Sequence, residues 1–450
     1  MQVGTNFFKK AFNKFMILIY TPKITPRIRY VFKHIFTRIL QIPIQFTGKV
    51  EEFVAYNGAK FTYTKVALGS EFFIKSNDLL LQQGIKDFDV DVQKWDGIPC
   101  FFATDSSSEI PFDIFAATFY LISRYEEYLP YVKDVHGRFS AKESIAFQYN
   151  FLEKPLVDIW AYKFLEILKN RFPAYVHTTR KYEYISIIDV DNAFAYKHKS
   201  FVRTIGGFLK DAWYLKIFMI WNRLAVLLNL KPDPFNTFNS IIALKKNYEI
   251  RTIFFFLVGD YTTFDTNVST SKRKFKLLIK DMVDYARVGL HSSYFTMNNS
   301  ALLKKEKERL EHIINMSIKR SRQHYLRISL PETYQNLIDL EIEEDYSMGY
   351  ETHVGFRAST CTPFYFYDLA FEIQTPLKIF PVALVDTTLN DYMKLTPKQS
   401  LGKIRDLNNA IKAVNGVFIT VFHNESLSNY QRWRGWKRVY NATLKIVKNG

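Results

Sequence analysis

Two cysteines, Cys100 and Cys361, stand in 450 residues. That excludes a disulfide framework and a zinc ribbon, and a reducing compartment is the natural reading. Long apolar runs are equally scarce. Residues 15–20 form a short apolar stretch behind a charged start, and no small-residue cleavage site follows, so no secretory leader is expected. Residues 212–229 are apolar too, but Lys216, Asn222 and Arg223 interrupt them. A spanning helix is thereby excluded, leaving an amphipathic one packed on the protein or lying at a membrane surface. Gly-x-Ser-x-Gly, Walker-type glycine loops and His-Glu-x-x-His do not occur. Acidic residues are missing from one region. Residues 1–49 hold Lys9, Lys10, Lys14, Lys23, Arg27, Arg29, Lys33, Arg38 and Lys49 and no carboxylate, more than half of the net charge of +17. This segment suits an anionic membrane or an acidic glycan, or is simply a basic surface. No nucleic-acid partner is expected, because no reading element accompanies the charge.

What is present is a large potential core: 48% hydrophobic and 17% aromatic residues, with 41 Phe and 28 Tyr. Two or three domains are expected from the length. Up to about Tyr175 short strand-like runs mix with helices, among them one beginning near Ile110 and Pro111 and one over 155–171. Beyond it strands and helices alternate. Strands are expected at 184–188, 252–258, 286–290, 322–326, 377–385 and 417–422, with helices at 237–248, 300–318, 331–340 and 396–415. Such alternation implies a mostly parallel sheet, open or closed into a barrel. Residues 199–236 read as a helical insertion.

Chemistry is expected at the C-terminal ends of the strands. Asp189 and Asp191 end the first of them. Two carboxylates so close resist joint ionisation unless a cation or a strong donor stabilises them. A divalent metal held by one, with the other free as a base, resolves the conflict. The alternative is a turn in which Asp191 caps the next segment. His291, Arg322, His324 and His423 fall at three further strand ends. A single strand-end histidine is commonly a hydrogen-bonded structural residue; four such ends in one sheet are harder to dismiss.

Four motifs, Ser186-Ile-Ile-Asp189-Val-Asp191-Asn, Gly289-Leu-His291-Ser-Ser-Tyr, Arg322-Gln-His324-Tyr and Val421-Phe-His423-Asn-Glu, occur in this order. Together they resemble the ordered motifs of the NodB-homology polysaccharide deacetylases. The resemblance covers roughly 180–450. It implies an α/β fold, an irregular (β/α) barrel over 178–450, preceded by an α+β accessory domain over 1–177. The latter, with Pro111-Phe-Asp-Ile-Phe-Ala-Ala, Ser123-Arg-Tyr-Glu-Glu-Tyr and His136-Gly-Arg-Phe, resembles an uncharacterised domain that precedes some such deacetylases in Bacteroidetes-type bacteria. The implied activity is metal-dependent removal of N-acetyl groups from a cell-surface glycan or its lipid-linked precursor. Asp189 is then the base, Asp191 and His291 metal ligands, Arg322 the residue orienting the base, and His423 the acid that protonates the leaving amine. Zinc is the expected divalent metal. The family places a second histidine four residues after the first, and here that position is Phe295. His324 is the local substitute as third ligand, with His353 a further candidate and His198 read as solvated surface. A carbohydrate-binding protein that lost the metal, or a hydrolase of another amide or ester, are the competing readings. The expected location is the cytoplasm, with peripheral contact at the inner membrane.

Overall fold

The computed structural model describes residues 16–449. Lys9, Lys10 and Lys14 of the basic segment lie outside the described residues. Its remaining members include Arg27, buried against Glu372, and Arg38, whose guanidinium lies 4.8 Å from the Tyr365 ring. Part of this charge is therefore structural.

The first part holds a parallel sheet of β1 (Ile17–Tyr20), β2 (Ile44–Thr47), β3 (Lys60–Thr64) and β4 (Phe73–Lys75), in the order β2-β1-β3-β4. A hairpin of β5 (Val92–Trp95) and β6 (Ile98–Phe101) follows. Asp96 and Gly97 both take positive φ at its turn, the conformation that matches strand twist. The helix expected from Ile110 starts at Ile114, because Asp113 caps it: its carboxylate accepts from Phe115 N–H at 2.9 Å and Ala116 N–H at 3.0 Å. The helix expected over 155–171 runs from Leu156 to Arg171.

The second part is a nine-stranded sheet. It comprises β7 (Glu183–Val190), β8 (Arg251–Leu257), β9 (Arg287–Ser292), β10 (Arg320–Gln323), β11 (Glu344–Asp345), β12 (Phe364–Asp368), β13 (Ile373–Ile379), β14 (Leu384–Val385) and β15 (Val417–His423). The order is β12-β13-β11-β10-β9-β8-β7-β15-β14, parallel throughout except at β12–β13. Three expectations are corrected. The strand over 322–326 is β10 followed by a tight turn at His324–Leu326. The helix over 300–318 ends at Ile314, where Asn315 turns into the left-handed region. The strand over 377–385 is two strands, β13 and β14, which sit at opposite sides of the sheet with Pro381 between them. Proline lacks the N–H a ladder needs.

That split shows the sheet is rolled. Seven strand spacings separate β13 from β14, about 34 Å in a flat sheet. The five-residue step from Ile379 to Leu384 spans at most about 17 Å. The link hydrogen-bonds to both flanks, Val382 N–H to Met348 O at 2.9 Å and Ala383 N–H to Ile419 O at 3.1 Å. Among the described residues β12 and β14 share no ladder, so a chain link rather than strand pairing bridges the gap. Ile185, Ile187, Ile253, Phe255, Ile419 and Val421 form the buried interior. Gly289 is required there, since a Cβ would stand 2.3 Å from the Phe255 ring. Strand periodicity continues the inward faces 185-187 and 419-421 to Asp189 and His423, which are register partners.

One contiguous apolar cluster runs through both parts, from Ile17 to Val447. Buried ion pairs join them as well. Glu127 receives Arg124 Nε at 2.7 Å and Arg357 Nε at 2.8 Å. Asp158 receives Arg180 Nη2 at 2.7 Å and Thr360 Oγ1 at 2.6 Å. The insertion carries two helices, Phe201–Trp213 and Ile217–Leu227. The single amphipathic helix expected at 212–229 is thus broken, with Leu215 at φ 51° in the connection. No helix among the described residues is long and apolar enough to cross a membrane.

Candidate functional site

Strand ends deliver Asp189, Asp191, His291, Arg322, His324 and His423 to one cavity of about 240 Å³, which Tyr325, Glu351, Thr387, Tyr392 and Arg432 also line. Asp189, His291, His324 and His423 are each fixed by a partner outside the cavity centre. Arg322 Nε donates to Asp189 Oδ2 at 2.7 Å, and its Nη1 donates to Tyr346 O at 2.6 Å. Asp189 Oδ1 is buried without a donor. His291 Nδ1–H donates to Arg322 O at 2.9 Å. A carbonyl only accepts, so this bond leaves His291 Nε2 facing the carboxylates, 3.3 Å from Asp191 Oδ1 and 3.8 Å from Asp189 Oδ2. His324 Nδ1 is bound by Asp265 Oδ1 at 2.9 Å, turning Nε2 to within 3.5 Å of Asp191 Oδ2. His423 Nδ1 is bound by Asp386 Oδ1 at 2.7 Å, and its Nε2 lies 3.4 Å from Asp191 Oδ2.

One donor atom each from Asp191, His291 and His324 lies within 4.8 Å of the others. A tetrahedral ion with bonds of about 2.0–2.1 Å has ligand atoms about 3.4 Å apart. His291 Nε2 lies about that far from Asp191 Oδ1, at 3.3 Å, and His324 Nε2 from the other oxygen, Oδ2, at 3.5 Å. Asp191 Oδ1 is buried and accepts no aligned hydrogen bond. Two imidazoles whose outer nitrogens are tied to a carbonyl and a carboxylate are the usual second layer of a metal centre. These residues fit a divalent cation with a nitrogen–oxygen donor set.

The electrostatics follow from the same contacts. Burial raises the Asp191 carboxyl, but the facing His324 and His423 outweigh it and hold it well below its usual range. Burial disfavours the charged His324 imidazole, yet Asp191 and Asp265 push it up to about 9. His423 likewise overcomes burial, since Asp386 and Asp191 raise it well above an ordinary imidazole. Burial raises Asp386, and His423 brings it below its ordinary value.

Phe295 does not line the cavity. It is half-exposed, with its ring against Phe264 and Tyr294. His353 sits apart, its Nδ1 at 2.8 Å from Thr352 Oγ1, and His198 lines a different cleft. Trp433, Trp436 and Tyr440 are buried, so they offer no ring face for sugar stacking. Asp386 and Asp265 were not expected from the sequence. Asp386 carries the same signal as Asp189, a carboxylate directly after an apolar run, since the expected strand over 377–385 and β14 both end at Val385. Asp265 lies in an irregular loop and had no signal.

The backbone at the site is strained. Tyr325 and Leu326 take φ of 58° and 51°, costly for side-chain-bearing residues. The first part braces this turn: Arg138 Nη1 donates to Tyr325 O at 2.5 Å, and Arg327 Nε donates to His136 O at 2.9 Å.

Solved structures similar to this chain include a candidate polysaccharide deacetylase from Mycobacterium smegmatis, at 12% identity and TM-score 0.38, covering 60% of this chain and 86% of that one. A CE4-family pseudoenzyme from Bacillus anthracis aligns at 11% identity and TM-score 0.29, covering 60% and 61%. A polysaccharide deacetylase from Bacillus cereus aligns at 14% identity and TM-score 0.29, covering 60% and 88%. The chain matches no curated protein. Residues 17–173 match a family of unknown function, DUF7033.

Proposed function

We propose that the chain is a metal-dependent hydrolase that removes N-acetyl groups from a cell-surface glycan or its lipid-linked precursor. The observation that carries this reading is the joint arrangement: a three-donor cluster flanked by an arginine-held carboxylate and an aspartate-held histidine. Asp191, His291 and His324 hold a divalent cation, zinc by the donor set. Bound there, it polarises the acetyl carbonyl and makes water a nucleophile near neutral pH. Asp189, with Oδ2 occupied by Arg322, takes the proton of the attacking water on Oδ1. Arg322 keeps this base oriented. His423, held protonated by Asp386, gives a proton from Nε2 to the nitrogen as the C–N bond breaks. Acetate and the free amine leave. An irregular barrel of the deacetylase type is the architecture this reading implies.

Phe295 favours a second reading, a carbohydrate-binding protein that has lost the metal. Acetate release across N-acetylglucosamine oligomers, peptidoglycan fragments and lipid-linked sugars, with metal content measured on the same preparation, decides between them. Stoichiometric metal and acetate release support the enzyme. Sugar affinity without metal or acetate release supports the binding protein. Metal with turnover confined to other amides or esters points to a different hydrolase on the same site.

A further inference from the structure

The insertion that follows Asp191 presents an apolar surface that nothing in the fold covers. Thirteen large apolar side chains between Phe201 and Leu230 are exposed. They crowd at the tip, where Trp213 is 84% exposed, Leu215 82%, Ile217 74% and Phe218 72%. Isolated apolar residues on a surface are ordinary, but a contiguous patch of this kind marks an interaction site. Along the insertion the unburied charge is basic, with Lys197, Lys199, Lys210, Lys216 and Lys231, while Arg203 is spent on the carbonyls of Thr266 and Asn267. Its two carboxylates, Asp211 and Asp233, are buried and spent internally, Asp211 on Arg223 at 2.6 Å and Asp233 on the backbone amides of Ala195 and Tyr196 at 2.7 and 2.9 Å.

We infer that this helical hairpin is a membrane-docking element that seats its tip in the interface of an anionic lipid surface. The composition suits that environment: apolar and aromatic side chains at the tip, basic ones behind, and helices too short to span. Cations flanking the apolar tip complement anionic headgroups. The element also adjoins the cavity. Gln431 Nε2 donates to Met219 Sδ at 3.6 Å, Tyr196 and Tyr430 hydroxyls meet at 2.6 Å, and Arg432 lines the cavity. A docked hairpin therefore holds the cavity mouth at headgroup level, where a lipid-linked acceptor is presented. That last step rests on the deacetylase reading; the docking does not.

The tryptophans make the test specific. Of the six, Trp213 and Trp221 are exposed, whereas Trp95, Trp160, Trp433 and Trp436 are buried. The full chain is mixed with vesicles of phosphatidylcholine and phosphatidylglycerol, with or without brominated acyl chains. The expected result is a blue shift and quenching by bromine, which reports these two rings entering the acyl region. The variant Leu215→Ser/Ile217→Ser/Phe218→Ser should partition at least about tenfold more weakly while its melting curve stays unchanged, since all three side chains face solvent. Vesicle binding that the triple variant retains, or binding without quenching, overturns the inference in favour of the basic surface alone. No binding at low salt, together with a dimer that the triple variant dissociates, overturns it in favour of a second copy of the chain. Neither result bears on acetate release from soluble sugars, so the two readings fail separately.

Discussion

His324 is the residue on which the candidate centre turns. Phe295 stands where the family resemblance expects a histidine and does not line the cavity, whereas His324 does. The sequence spacing exposed the vacancy, because Phe295 is a poor stand-in for imidazole. It could not reveal the remedy with the same force, since the His324 ring is aimed by Asp265 from a distant loop. His324→Ala is expected to abolish stoichiometric metal binding, measured by elemental analysis after dialysis. Asp265→Asn should weaken metal affinity by about 10–100-fold, because outer partners orient the ligands. Unchanged affinity in both would exclude His324 as a ligand. Asp189→Asn should slow acetate release by at least about a hundredfold with metal still bound, as general bases contribute about 10²–10⁴-fold. His423→Ala should lose turnover by a similar factor, and wild-type turnover should fall on the alkaline side as the acid deprotonates. Asp386 holds that proton on His423, so Asp386→Asn is expected to move the alkaline limb to lower pH. A limb that stays in place shows that another group is the acid.

Elements were legible wherever a strand or helix is long and buried on a simple pattern. β8, with its run of phenylalanines, and β15, ending at His423, needed nothing but apolar continuity. The failures share a cause. β13 and β14 read as one strand because apolar residues continue through the link, which is itself buried inside the rolled sheet. The helix containing Glu306 shows a subtler effect. Its outer face is charged, yet Glu306 is 1% exposed and accepts Ser293 N–H at 2.9 Å. Gly259 permits this approach, since a Cβ there would come within 2.9 Å of Glu306 Oε1. Burial pushes the Glu306 carboxyl from about 4.5 up to about 7, opposed by the Ser293 hydrogen bonds. A raised folded value means that the folded state binds the proton more tightly. Stability from this group is therefore full below about 4.5 and is lost as pH rises to about 7. Urea midpoints of wild type should fall between pH 5 and pH 8, and Glu306→Gln should flatten that slope. Equal slopes would show that the carboxyl titrates normally. Asp113 and Asp345, both raised to about 6 by burial, act in the same direction.

The two parts are expected to unfold as one unit, because they are tied through charge as well as apolar area. Glu127 is shared by Arg124 and Arg357, all three nearly inaccessible. Removing it strands two buried cations, and breaking such a pair costs about 3–5 kcal/mol. Glu127→Ala is expected to lower the unfolding free energy by that amount in one cooperative transition seen by both near-ultraviolet and far-ultraviolet circular dichroism. Two separate transitions would show instead that the parts fold alone. The division near residue 177 is visible in the sequence as a change of rhythm, but the interlock is not, since Glu127 and Arg357 lie 230 residues apart. The pairing of β7 with β15 reaches as far. Asp189 gains its neighbour His423 only when the last strand arrives. On a ribosome, where the chain emerges from its N-terminus, β7 therefore waits with one side bare until β15 has been made. A nascent chain that stops short of β15 has the carboxylates and no acid to answer them, so the site is assembled only once this strand has emerged.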